Sequence, residues 1–296
     1  MNLQEYLADS RRIVDKALDD LLPAEDNEPK LLHQAMRYSV FAGGKRLRPI
    51  LAMAAAEIVS GDAACVMPLA VAVECVHTYS LIHDDLPSMD DDDLRRGKPT
   101  AHKVFGEAVA ILAGDSLLTY AFEILASPAS IRVFRPDRLL AVIGELAVAA
   151  GPAQLIGGQL LDIMSENRPV DAEIVERIIT GKTAALIGAS LACGARLAGG
   201  SEEEIRILGH YGKMLGTAFQ MKDDLLDLEG DAARLGKAVN KDGVRGKATY
   251  PKLFGRNKTK EMMSELINSG LRVISTLGPR TAVLAEIGRY VVERVH

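Results

Sequence analysis

"PLAVAVECVHTYSLIHDDLPSMDDDDLRRG", Pro68 to Gly97, is the stretch whose reading decides the fold. Its first half is mostly apolar, interrupted by Glu74 with His77, and predicts a helix. Helices of that kind sit inside a bundle rather than on its surface. The second half puts Asp at 84, 85, 90, 91, 92 and 93, followed by Arg95 and Arg96. Carboxylates this dense repel one another unless cations neutralise them. A helix loses a hydrogen bond at Pro87. A distorted turn is therefore predicted there, swinging Asp90 back toward Asp84.

The rest of the chain repeats the helical signal. Leu139, Val142, Ile143 and Leu146 keep one helix face, as do Ile174, Val175, Ile178 and Ile179. Asp171 is placed to cap the helix "AEIVERII", and Ser201 with Glu204 has capping-box spacing. Gly43 and Gly44 close one helix, Pro49 opens the next, and Pro128, Pro136, Pro152 and Pro251 mark further ends or kinks. Strand signals are nearly absent; aromatics are 4% and there is no Trp, so little favours a sheet. "ILAMAAAEIV" and "AALIGASLACGARLA" are apolar nearly all round, and their small residues let helices approach closely. No linker or internal repeat divides the chain, so one all-α domain of about ten helices is expected over residues 1–296.

Composition narrows the function. A net charge of −5 argues against a nucleic-acid binder, which needs basic surface to displace counterions. Cys65, Cys75 and Cys193 form no CxxC pair, so zinc and redox motifs lack support. The N-terminus carries early charges and no apolar core, unlike a signal peptide. No apolar run reaches the roughly 18 residues a span needs; the best are interrupted by Glu74 with His77 and by Glu145. A cytoplasmic protein without stable membrane association is expected.

A second acidic station lies in "FQMKDDLLDLEGD". Asp223 and Asp227 are four apart and share a helix face, while Leu225, Leu226 and Leu228 fill the core side. A solvated acidic face is the simpler reading of one such motif alone. Two stations change the balance. Mg²⁺ takes one or two carboxylates and completes its shell with substrate phosphates, so two stations facing each other across a bundle would clamp a diphosphate. Basic groups complete the set: Lys45, Arg46 and Arg48 in "GGKRLRP", Arg95 and Arg96, Lys182 with Thr183, and Lys237, Lys241, Arg245 and Lys247. Arginine forks recognise phosphate bidentately. Two rivals fail. A His-Asp phosphohydrolase needs further histidines in comparable settings, and "GKT" at 181–183 lacks the Walker glycine because position 176 is Glu.

At these residues the chain resembles the trans-isoprenyl diphosphate synthase (polyprenyl synthetase) family, most of all its bacterial farnesyl diphosphate synthases. "DDLPSMD" matches the family's long first aspartate motif and "DDLLD" its second; "GGKRLRP", "GGQLLD", "GKTAAL", "FQMKDD" and "GKATYP" follow in family order. The resemblance implies an isoprenoid synthase fold, all-α around a deep central cavity, in a homodimer. It implies that Asp84 and Asp90 bind Mg²⁺ with Asp85 in support, that Asp223 binds another with Asp224 and Asp227, and that three Mg²⁺ act when substrate is bound. Arg95, Lys182 and Lys237 would grip the allylic diphosphate. Lys45, Arg48, His77 and Arg96 would hold isopentenyl diphosphate. Thr183 and Gln220 would face the reacting carbons, and Lys247 would lie on a closing loop. Two departures are mild: Asn240 stands where the family usually has glycine, and Gly181 where it often has histidine.

The implied reaction is ionisation, condensation and elimination, joining isopentenyl diphosphate to dimethylallyl and then geranyl diphosphate. The expected product is farnesyl diphosphate; the alternatives are a geranyl or geranylgeranyl diphosphate synthase, or a non-catalytic regulatory subunit. Tyr79, about 7.5 Å before Asp84 along a helix, is the expected floor that limits chain length, with Ser80 beside it. Solvation, or support of the arginines, is the expected role of Asp91, Asp92 and Asp93.

Overall fold

The computed structural model describes residues 2–229 and 246–293. Among them, twelve helices have eight residues or more, against about ten expected. The surplus arises where one periodic stretch is broken: at Gly151-Pro152, and at a π-helical turn over Thr180–Ala184. The only strands among the described residues are a minimal hairpin, β1 (Leu94–Arg95) and β2 (Lys98–Pro99), paired antiparallel.

The chain divides into two compact units, one of Met1–Ile50 with Val66–Ile143, the other of Leu51–Cys65 with Gly144–His296. The first holds α1 (Leu3–Leu21), α2 (Lys30–Val40), α4 (Met67–Asp84), α5 (Ala101–Phe105), α6 (Glu107–Leu125) and α7 (Pro128–Val133). Helix α4 is the buried helix that its mostly apolar sequence predicts. Leu69, Val71, Val73, Cys75 and Val76 are fully buried, and α4 packs along α6, α1 and α2.

The second unit holds α9 (Leu155–Met164), α10 (Ala172–Ile179), α11 (Ala185–Leu197), α12 (Glu202–Glu229), α13 (Tyr250–Phe254), α14 (Arg256–Ser275) and α15 (Ala282–Glu293). Helices α3 (Leu47–Ser60) and α8 (Pro136–Ala150) each have residues in both units. Helix α3 starts two residues before Pro49, which sits in its first turn, where no partner is lost. The caps form as predicted: Asp171 Oδ1 accepts from Ile174 N at 2.9 Å, and Ser201 N donates to Glu204 Oε2 at 2.8 Å. Small residues do bring α11 and α12 together, for a Cβ on Gly212 would lie 2.8 Å from Gly188 Cα. Inside this unit Tyr211 is fully buried and its hydroxyl donates to Leu284 O at 2.6 Å.

One expectation is corrected. Four helical stretches are long and apolar enough to cross a membrane: Ala64–Asp84, Glu107–Val133, Pro136–Met164 and Ala172–Leu197. One or two charges, such as Glu74 or Glu145, interrupt an apolar run without making a helix polar on average. Of the apolar windows in the first and last, 67% and 89% is buried, as core helices require; in the two middle ones only 39% and 33% is. Leu140, Val148 and Leu160 are accordingly exposed.

Candidate active site

The first acidic station is built from backbone. Helix α4 ends at Asp84 and Asp85 caps it. Met89 N donates to Leu86 O at 2.9 Å, Asp91 N to the same oxygen at 3.0 Å, and Asp90 N to Asp84 O at 2.8 Å. The chain thus turns back at Pro87 and returns Asp90 to Asp84, as the distorted turn predicts. Asp91 adopts φ 44°, in the left-handed region that Asp tolerates better than most residues.

The carboxylates beyond the turn divide by role. Asp85 is buried and takes Arg95 Nε at 3.0 Å and a second Arg95 nitrogen. Burial pushes the Asp85 carboxyl up, while Arg95 opposes that shift. Asp92 is also buried, 3.6 Å from Arg95. The Thr100 hydroxyl donates to the Asp92 carbonyl at 2.7 Å. Exposed Asp93 pairs with Lys103 at 2.7 Å. Asp92 is therefore support for Arg95, Asp93 a solvated pair, and Asp91 the hinge of the turn.

The same unit carries a cationic cluster. The Arg96 guanidinium donates to Gly43 O and lies over Gly44, where a Cβ would strike it; both glycines take positive φ, 104° and 137°. Lys45 is exposed, whereas Arg46 beside it is 3% exposed and takes φ 51°. Arg46 is not a phosphate ligand waiting on the surface. Its guanidinium spends its donors on Glu74 at 2.7 Å, Asp15 at 2.7 Å and Val40 O at 2.8 Å. His77, one turn after Glu74, is pushed well below its usual range by burial and by Arg48, Arg96, Arg95 and Arg46 in turn, so it is a neutral ring.

Tyr79 is 4% exposed. Its hydroxyl has no hydrogen-bond partner, and burial followed by the Asp84 charge pushes it up to about 12. Its ring meets His83 edge-on at 5.8 Å. The Ser80 hydroxyl is turned back to His77 O at 2.8 Å.

The second acidic station is built from helix register. Gln220, Asp223, Asp224 and Asp227 follow one stripe of α12. Asp224 and Asp227 are buried and Asp223 is half-buried. Thr183 donates to Gln220 Oε1 at 2.8 Å, and Gln220 Nε2 donates to Asp224 Oδ1 at 2.9 Å. Thr183 and Lys182 stand on the π-helical turn, a distortion that recurs at functional sites. Its cause is local. A Cβ on Gly158 would collide with Lys182 N, and one on Gly181 would come within 2.8 Å of Gln154 O. Only glycines let α9 approach the turn this closely, which accounts for Gly181 here.

The residue that sequence reading missed is Asp162, on α9 and 6% exposed. It holds Lys182 Nζ at 2.7 Å and lies 3.7 Å from Lys247 Nζ. Asp162, Lys182, Thr183, Gln220, Asp224 and Lys247 line a cavity of about 60 Å³, room for about two waters. The signal lay in "GGQLLD", whose Asp is the lone charge on an apolar helix. Glu74 gave the same kind of signal on α4. Lys237, Lys241 and Arg245 lie outside the described residues.

Among the described residues, no three His, Cys, Asp or Glu side chains converge as a closed metal site. Stations of one or two carboxylates fit Mg²⁺, which keeps positions for water and phosphate, better than a cation needing a full protein cage. Asp84 with Asp90, and Asp223 with Asp227, are the residues that could hold it.

The family described as Polyprenyl synthetase matches residues 29–273. The chain is 49% identical over 268 residues to the large subunit 1 of a heterodimeric geranylgeranyl pyrophosphate synthase from Arabidopsis thaliana, covering 90% of this chain and 72% of that one. It is 42% identical over 294 residues to farnesyl diphosphate synthase of Bacillus subtilis, covering 99% of both. Its fold matches a geranyltransferase from Helicobacter pylori, solved with magnesium and isoprenyl diphosphate. That match has a TM-score of 0.83 and 31% identity, over 99% of this chain and 97% of that one.

Proposed function

The chain belongs to the polyprenyl synthetase family and is a trans-prenyltransferase with the all-α fold of isoprenyl synthases, and from that premise we propose that its product is farnesyl diphosphate. The observation that carries the product is Tyr79. Its buried ring and unpartnered hydroxyl sit on α4, about 7.5 Å before Asp84, where a growing chain would be stopped. The full-length similarity to the Bacillus subtilis enzyme supports the same reading. The Arabidopsis relative favours a second one, geranylgeranyl diphosphate.

In this reading Asp84 and Asp90 hold Mg²⁺, Asp85 supports them through Arg95, and Asp223, with Asp224 and Asp227, holds a further ion. The magnesium in the Helicobacter pylori relative supports this, and the reading puts three ions at work when substrate is bound. Bound there, Mg²⁺ supplies positive charge to the diphosphate oxygens. Arg95, Lys182 and Lys237 bind the allylic diphosphate, more strongly as the C–O bond breaks and charge gathers on the leaving group. Asp162 aims Lys182 and Lys247, which it meets at 2.7 Å and 3.7 Å. The allylic cation needs partial negative charge, and the Thr183 and Gln220 oxygens, already fixed by their mutual hydrogen bond, supply it. Isopentenyl diphosphate is held by Lys45, Arg48, Arg96 and neutral His77. No side-chain base is needed, because the released diphosphate can take the proton.

The enzyme acts on small diphosphates in the cytoplasm, without nucleic acid or stable membrane association. It works as a homodimer, and the exposed Leu140, Val148 and Leu160 support a second copy covering α8 and α9.

The test is direct. Isopentenyl diphosphate is incubated with dimethylallyl or geranyl diphosphate and Mg²⁺, and the products are sized. Fifteen carbons are expected; twenty would establish the second reading, and no elongation would overturn the assignment. Tyr79→Ala should lengthen the product, and an unchanged length would put the floor elsewhere.

A further inference from the structure

The first unit buries an ion pair between α4 and the segment that leads into α3. Glu74 is 1% exposed in the middle of apolar α4, and Arg46 is 3% exposed. Both side chains are 2% exposed where they meet at 2.7 Å. Buried pairs are weak contributors to stability, since apolar residues of like volume often serve as well. Two further facts point away from simple structure. Arg46 takes φ 51°, a left-handed backbone disfavoured for a long side chain, which persists only where surroundings hold it. And Glu74 Oε2 is buried with no hydrogen-bond partner, while a pair kept for stability satisfies both oxygens.

Geometry shows what the pair does. Arg46 sits between Lys45 and Arg48 in sequence, and its three anchors pin the backbone from which both project. With Arg46 turned inward, Lys45 faces solvent and Arg48 is half-buried. On α4, one turn beyond Glu74, stands His77, in the field of four arginines. Arg96 lies in the field of Glu74 and is repelled by Arg46 and Arg95. One buried carboxylate therefore fixes one arginine by contact and attracts another at longer range.

We propose that Glu74 is a positioning residue: through Arg46 it holds Lys45, Arg48 and Arg96 in register and so sets the affinity for the non-allylic diphosphate. This rests on the two-diphosphate reading above. Glu74 touches no reacting atom. Its removal should weaken one substrate and leave the chemistry of the other intact.

The experiment is Glu74→Gln, which keeps shape and removes charge. Prenyl transfer is measured with isopentenyl diphosphate varied at saturating geranyl diphosphate, and the reverse. KM for isopentenyl diphosphate should rise about tenfold, with kcat and KM for geranyl diphosphate within about twofold. Calorimetric titration with isopentenyl diphosphate alone should show the same tenfold loss. Combining Glu74→Gln with Arg46→Met should add nothing, because residues acting as one unit are not additive. Should Glu74→Gln fail to fold, Arg46→Lys keeps the charge, loses the three-way fork and should show the same selective rise. Unchanged KM for isopentenyl diphosphate, or equal changes in both substrates, would overturn the proposal. A wild type that binds isopentenyl diphosphate without elongating anything would instead sink the assigned reaction, and the titration would still judge Glu74.

Discussion

The two acidic stations hold the same kind of side chain by different means. Asp223 and Asp227 are placed by the 3.6-residue repeat of one continuous helix, and their neighbours Gln220 and Asp224 come with them. Asp84 and Asp90 are six apart, and only a broken helix end with a hydrogen bond from Asp90 N to Asp84 O brings them together. The first station is tied to one arginine, Arg95, through Asp85 and Asp92, whereas the second neighbours a lysine held by Asp162. Spacing alone is thus a safe guide within a helix and a poor one across its end.

The comparison can be broken first at the carboxylates. Asp84→Ala and Asp223→Ala should each lower turnover by about a thousandfold or more, with helical circular dichroism unchanged. If one of the two retains near-normal turnover, the stations are not equivalent and the metal reading fails for that one. Next comes Asp162→Asn, which leaves Lys182 and Lys247 without their shared anchor. A misplaced cation costs about a hundredfold in kcat, and steady-state assays showing less than a threefold change would remove Asp162 from the site. A smaller effect belongs to Gly158→Ala. Forcing a methyl against Lys182 N should cost about 1–3 kcal/mol in denaturant unfolding and straighten or shift the π-helical turn.

The smallest effect comes from His77. Its folded-state pKa is depressed, first by burial and then by the arginines. Above about pH 6.5 neither the folded nor the unfolded state protonates it, and it contributes no pH dependence. As pH falls below that value the unfolded chain takes a proton that the folded ring refuses, so stability drops. Denaturant midpoints at pH 7 and pH 5 should therefore differ more for the wild type than for His77→Gln. Equal differences would show that burial and the arginines do not hold the ring neutral.

Particular residues mark how far the sequence could be read. The buried α4, the caps at Asp171 and Ser201, and the α12 stripe follow from local periodicity and were legible. The π-helical turn was not, because it depends on Gly158 meeting Lys182 from another helix. Arg46 was legible as a basic residue but not as an inward one. Its direction is set by Glu74, twenty-eight positions away. Asp162 was visible only as a lone charge in an apolar helix, with nothing local to name its lysines.

The sequence by itself determined the helices, the family and which residue types carry charge, because period, caps and motif order are properties of neighbouring positions. The tertiary structure alone decided which charges neutralise one another, which arginine turns inward and which aspartate holds the lysines. Those outcomes depend on burial and on distances between remote segments, and electrostatic energies inside a protein are set by both.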